Sequence, residues 1–211
     1  MLVSEVTAFL EQAYNVLNQH YFGGILPPVI ITVQSSPKTN GHYTKFDAWE
    51  QSNQGYREIN ISAENLNRPI QCVIATLIHE MVHHFCDQQG IKDCSRGGVY
   101  HNKKFKEQAQ QRDLIIEYNP RIGFSVTSPS YALVAFIEGQ GWQGIDLSRV
   151  GGHSVPGGGS DNAGNSGGDN GKPKSSTRKY QCRVCQNSVR ATKEVHIACL
   201  DCNTQMFQVE K

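Results

Sequence analysis

The chain has 211 residues, 38% of them hydrophobic, enough for one domain with a core plus one small module. Met1-Leu2-Val3-Ser4-Glu5 shows no basic stretch leading into an apolar run, and no segment approaches the roughly 20 apolar residues that span a bilayer. The expected compartment is therefore the cytoplasm (the nucleus in a eukaryote), with no membrane partner. The net charge of +1 hides an asymmetry: residues 172–211 carry eight Lys/Arg and three Asp/Glu, a balance of +5, and the rest carry 12 and 16, a balance of −4. A polyanion partner is expected of the tail and not of the body.

Leu2, Val6, Phe9, Leu10, Ala13 and Leu17 recur at helical spacing, which predicts an amphipathic helix over residues 3–19. Gly23-Gly24 and Pro27-Pro28 break the chain before the β-branched run Val29–Val33, read as a strand. Two more strands are expected at Gly41–Trp49 and Tyr56–Ser62. Pro69 suits the first turn of a helix whose Val73, Ile74, Leu77, Ile78, Met81, Val82 and Phe85 make it apolar almost all round, ending near Gln89 with Gly90 at its C-terminus. After a Gly97-Gly98 loop come a polar helix from about Asn102 to Arg112, a strand at Ile122–Val126 and a short helix at Tyr131–Glu138. Residues 151–171 hold nine glycines among Ser, Asn and Asp and read as a flexible linker, with a reach of about 30 Å when counted through Thr177.

His79-Glu80-Met81-Val82-His83 is an HExxH pattern. Residues i and i+4 share a helix face, so His79 and His83 can meet one Zn²⁺, leaving Glu80 as general base. A chance match is the ordinary alternative, but two histidines and a glutamate are costly to bury on an apolar helix unless something pairs with them. A third ligand must come from another segment: His101, just past the Gly97-Gly98 turn, is favoured over Glu107. Asp87, Asp93 and Cys94 are weaker candidates, and His84 faces another direction. Tyr43, Tyr100 and His84 are the groups to inspect as oxyanion stabilisers.

Seven cysteines without a leader read as reduced thiols. Cys182-x-x-Cys185 and Cys199-x-x-Cys202 have the spacing of a closed structural zinc site, with a tight hairpin expected through Asn187–His196; redox Cys-x-x-Cys chemistry would require a βαβ setting that is absent. So little apolar material there implies metal-dependent folding. Arg178, Lys179, Arg183, Arg190 and Lys193 decorate this module, and Tyr180 and Phe207 could stack on bases or pack the hairpin. Nucleic acid and plain solvent are both open as the partner of that surface.

The run Leu77–His84 followed by His101-Asn102-Lys103-Lys104-Phe105 resembles the SprT-like metallopeptidases, the family that includes the DNA–protein crosslink protease Spartan. The entry Phe22–Pro27 and the C-terminal cysteines extend the likeness over most of residues 1–140 and 178–211. The resemblance implies His79, His83 and His101 as zinc ligands, Glu80 as the catalytic residue, Phe105 as an aromatic packing the following helix, and DNA-associated proteins as substrates. Asn102 stands where many members have Gly. The expected architecture is α+β: a zincin-like peptidase domain with its HExxH helix over 1–140, a Gly-rich linker over 141–177 and a small zinc ribbon over 178–211. One catalytic and one structural Zn²⁺ are expected. The alternative is a zinc-containing DNA-binding protein without proteolytic activity.

Overall fold

The computed structural model describes residues 1–150 and 178–209, which fall in two compact units divided after Val155. Most of the predicted linker, residues 151–177, lies outside the described residues.

The first unit is mixed α/β. Helix α1 (Val3–Phe22) buries Val6, Leu10, Ala13, Tyr14 and Leu17 along one stripe, as their three-to-four-residue spacing dictates. Strand β1 (Ile30–Gln34) follows, then β2 (Gly41–Tyr43), the hairpin strands β3 (Trp49–Gln51) and β4 (Gln54–Tyr56), and β5 (Glu58–Ser62). β5 is the centre of a three-stranded sheet, parallel to β1 and antiparallel to β2, and all five of its residues are buried. The expected strand at 41–49 is thus two shorter ones. The chain leaves the sheet after Tyr43 and turns through Ser52 and Asn53, both at positive φ, to form the β3–β4 hairpin.

Helix α2 (Ile70–Gln88) runs through the middle of this unit, against α1, β2 and β5, and against the later helices α3 (Lys103–Gln110) and α4 (Tyr131–Gly139) and strand β9 (Gly123–Pro129). Fourteen of its residues are buried, which is why its sequence is apolar on nearly every side. Gly90 follows it at φ +64, and the amides of Gly90 and Ile91 close on the carbonyls of Asp87 and Cys86. This is a Schellman ending, which the left-handed residue at Gly90 makes possible.

Beyond α2 lie β6 (Cys94–Ser95), β7 (Tyr100–His101), α3 (Lys103–Gln110), β8 (Leu114–Asn119), β9 (Gly123–Pro129) and α4 (Tyr131–Gly139). The strands form a second sheet in the order β6-β7-β9-β8. Sequence reading finds β9 but not β8, whose alternating Leu114 and Ile116 are buried on one face only. Residues 142–149, expected to begin the linker, instead return over the unit: Trp142 meets Phe9 and Phe136 edge-on, Ile145 is buried, and the Arg149 amide donates to Ala63 O. Three apolar side chains in these eight residues, Trp142, Ile145 and Leu147, find a core to join.

The second unit has β10 (Arg178–Gln181) between β11 (Ser188–Ala191) and β14 (Phe207–Val209), with β12 (Ala198–Cys199) paired to β13 (Thr204–Gln205). Its hairpin is β10–β11, turning at Cys182–Asn187, and not a loop closed within Asn187–His196. Tyr180 packs inside with Cys182, Cys199 and Met206, and its hydroxyl accepts from the Val195 amide, so it serves the core of this module.

Asn102 is the N-cap of α3, its side-chain oxygen accepting from the amides of Lys104 and Phe105. Asn102→Ala should lower the unfolding free energy by about 1 kcal/mol, and Asn102→Gly by only a few tenths; denaturant melts of the two variants test the order.

Candidate active site

His79 and His83 project from one face of α2, one turn apart, and His101 reaches them from β7. The Nε2 of His101 lies 3.2 Å from that of His79 and 3.0 Å from that of His83. All three rings are at least nine-tenths buried.

The hydrogen bonds on the far side of the rings decide what these nitrogens present to each other. Thr127 Oγ1 donates to Ser125 O at 3.1 Å, so at 2.8 Å from His79 Nδ1 it is the acceptor. His83 Nδ1 bonds the Asp93 carboxylate, which can only accept. In both rings the proton therefore sits on Nδ1 and the Nε2 lone pair faces inward. His101 Nδ1 is buried with no hydrogen-bond partner among the described residues. Burial, followed by repulsion between the rings, holds His79 well below the usual histidine range and brings His101 to about 4, so both are neutral near pH 7. The Nε2 lone pairs of His79 and His83 converge on His101 Nε2, which can meet them with a proton or join them as a third donor to a shared cation. Two nitrogens bound to one tetrahedral Zn²⁺ are separated by about 3.3 Å, so the donor set fits that ion.

Phe105, from the first turn of α3, supports the triad from below. Its ring centroid lies 4.6, 4.7 and 4.6 Å from those of His79, His83 and His101, and it is fully buried. It packs against the imidazoles themselves as well as holding α3. Glu107 is exposed on the same helix and does not join the group.

Asp93 accepts from His83 with one oxygen and from Lys45 Nζ with the other, the latter at 2.7 Å. His83, Asp93 and Cys94 also cluster closely enough to suggest a second metal. The Lys45 ammonium already fills that cation role, and burial pushes the Cys94 thiol up to about 12, so it stays protonated. Asp87 pairs with Tyr43 and Arg57. Tyr43 and His84 bond one another, and His84 also faces Pro27 O, so both are committed to a structural network. Tyr100 precedes His101 on the strand and so points to the other side, where its hydroxyl meets Tyr118 at 3.5 Å.

Glu80 is 5% exposed, and its carboxyl is raised to about 7, chiefly by burial. Two glycines make room here. A Cβ on Gly41 would stand 2.8 Å from Asn60 O and 3.2 Å from Glu80 Oε1; one on Gly123, at φ +71, would strike the His101 carbonyl with which β9 is in register. Neither glycine is marked by the sequence, because each is dictated by a segment far away in the chain.

In the second unit the sulfurs of Cys182, Cys185, Cys199 and Cys202 all lie within 4.8 Å of one another, and none forms a disulfide. Cys185 and Cys199 are 3.6 Å apart, far beyond a disulfide bond and near the roughly 3.8 Å separation of two thiolates on one tetrahedral Zn²⁺. Bonds from Thr204, then from the amides of Cys185 and Val184, bring Cys182 down to about 6, whereas its bond to Cys185 pushes Cys202 up to about 12. Anionic sulfur is thus favoured at one member and opposed at another, a conflict that a dication removes.

Lys179 and Arg190 are direct cross-strand partners on β10 and β11, and Gln181 is opposite Phe207. The strand period of two puts Lys179, Arg190 and Phe207 on one face, with the Arg183 guanidinium 4.2 Å above the Phe207 ring. Arg178 points the other way and donates to Thr192 O; Lys193 is exposed beyond the strand.

Residues 10–122, more than half of the chain, match the SprT-like family, to which the chain therefore belongs. It carries a metallopeptidase-type domain of a family that is typically zinc-dependent. No curated protein and no solved structure matches it significantly. Among the described residues no helix is long and apolar enough to cross a membrane.

Gly41→Ala should cost about 1–3 kcal/mol, because backbone stands in the way of the new methyl. Gly139→Ala, with no atom within 4 Å, should leave the melting temperature close to that of the wild type. Calorimetry on the two variants compares them directly.

Proposed function

We propose that this chain is a zinc-dependent endopeptidase of the SprT-like type, acting on DNA-associated proteins. The observation that carries the reading is the convergence of three buried histidine Nε2 atoms, those of His79 and His83 lying 3.2 and 3.0 Å from that of His101, with Glu80 on the same helix. Zinc held by His79, His83 and His101 would polarise a scissile carbonyl and acidify water. Glu80, with its carboxyl near neutrality, would take a proton from the attacking water and return it to the leaving amine. Asp93 and Thr127 hold two of the rings by their outer nitrogens, and Phe105 fixes the depth of all three.

Glu80→Gln is expected to keep the metal and the fold while cleavage of a protein substrate falls by a factor of at least about 100, the scale of general acid–base catalysis. Activity within a few-fold of wild type would remove Glu80 from the role. Retained metal with no proteolysis by the wild type on any DNA-bound protein would favour a DNA-binding protein without catalysis.

For the second unit we infer a structural zinc on Cys182, Cys185, Cys199 and Cys202, in a ribbon that grips DNA. In support, Lys179 and Arg190 face each other across the strands, a like-charge pair that is unfavourable until an anion intervenes, and the neighbouring Phe207 offers a ring for stacking. Arg178, Arg183 and Lys193 add to the positive charge around them. Because the two units share one chain, a DNA-bound ribbon would raise the effective concentration of the peptidase at proteins on the same DNA. Replacing Arg183, Arg190 and Lys193 together with Ala should weaken DNA binding and flatten its salt dependence by up to about three units of log–log slope. Cleavage of a free peptide should stay unchanged. Wild-type affinity in the triple variant would move the DNA contact elsewhere.

A further inference from the structure

We propose that Lys45 and Asp93 act as one positioning unit for the histidine site, Lys45 locking the Asp93 carboxylate in the orientation that holds His83. The inference rests on the metal reading above and assigns a role to two residues outside the ligand set. Asp93 is fully buried, and its two oxygens are divided between partners, one to His83 Nδ1 and the other to Lys45 Nζ. With both bonds made, the carboxylate cannot turn about its last torsion; with one lost, it can. The main chain of the same segment reaches the other ligand strand. Asp93 O accepts from the Asn102 amide at 2.9 Å, and Cys94 pairs with His101 across β6 and β7. Asp93 thus touches one α2 ligand, His83, through its side chain and the residue that follows the β7 ligand through its main-chain oxygen.

Lys45 contributes a third segment, the connection that leaves the edge strand β2. Its side chain is 47% exposed, so an ordinary surface lysine there would stay hydrated and its ion pair would be worth little. Here the ammonium instead contacts, at 2.7 Å, a carboxylate with no solvent access. A buried carboxylate deprived of one partner is strongly disfavoured where it stands and will seek another geometry. Outer-shell carboxylates of this kind typically govern metal affinity by ten- to hundredfold.

The test is cobalt binding to the full-length protein, with the histidine-bound ion read from its d–d bands and the cysteine-bound ion from thiolate charge transfer in the near ultraviolet. Asp93→Asn should raise the dissociation constant at the histidine site by about ten- to hundredfold and shift the d–d bands. The charge-transfer bands and the far-ultraviolet circular dichroism should not change. Lys45→Met should weaken the same site several-fold, and should add nothing in the Asp93→Asn background, because Lys45 acts through Asp93. Unchanged affinity in Asp93→Asn, or additive effects in the double variant, would overturn the proposal. If Asp93→Asn does not fold, Lys45→Met decides alone, and wild-type affinity in that variant overturns it. A wild type that binds cobalt with no histidine-site bands would remove the metal reading itself, and this inference with it.

Discussion

Three buried imidazole nitrogens that face one another are the constraint around which the first unit is arranged. The arrangement is not self-sufficient. Thr127 and Asp93 commit the outer nitrogens of His79 and His83 to donation, and burial keeps His79 and His101 uncharged. Rings so prepared present donors to a cation that lies between them. The free energy of binding then becomes part of the free energy of the fold.

The surrounding elements follow from the need to hold that geometry. α2 is apolar on nearly all sides because it crosses the unit's interior, and it carries two of the nitrogens and Glu80 on one rigid element. β7 is only two residues long, yet it is fixed by β6 on one side and β9 on the other, with Gly123 permitting the close approach. α3 is capped by Asn102 immediately after His101, which places Phe105 under the imidazoles within its first turn. Each of these features is local in sequence, and their meeting point is not.

The second unit solves a similar problem with fewer apolar groups. Tyr180 and Met206 are the main large side chains of its small core, and the four sulfurs stand where a larger module would have more hydrocarbon. Its outer face carries cations in register across two strands.

Much of this was written in the sequence. A helical period marked α1, an apolar stretch after Pro69 marked α2 and glycine its end, a β-branched run marked β1 and alternating Ile59 and Ile61 marked β5. The i, i+4 spacing alone put His79 and His83 on one face, and the paired Cys-x-x-Cys units announced a cluster, because helices and short knuckles have fixed local geometry. What the sequence could not supply were the contacts made between distant segments. Lys45 against Asp93, Thr127 against His79, Gly41 beside Glu80 and Gly123 beside His101 carry no periodicity or spacing that would mark them. Ile145 and Trp142 read as the start of a linker because nothing nearby showed a surface for them to cover. The identities of the chemical groups were a matter of local sequence; which nitrogen carries its proton, which lysine reaches inward and which glycine leaves space were decided only when the two sheets closed around α2, since each depends on an atom brought there by another part of the chain.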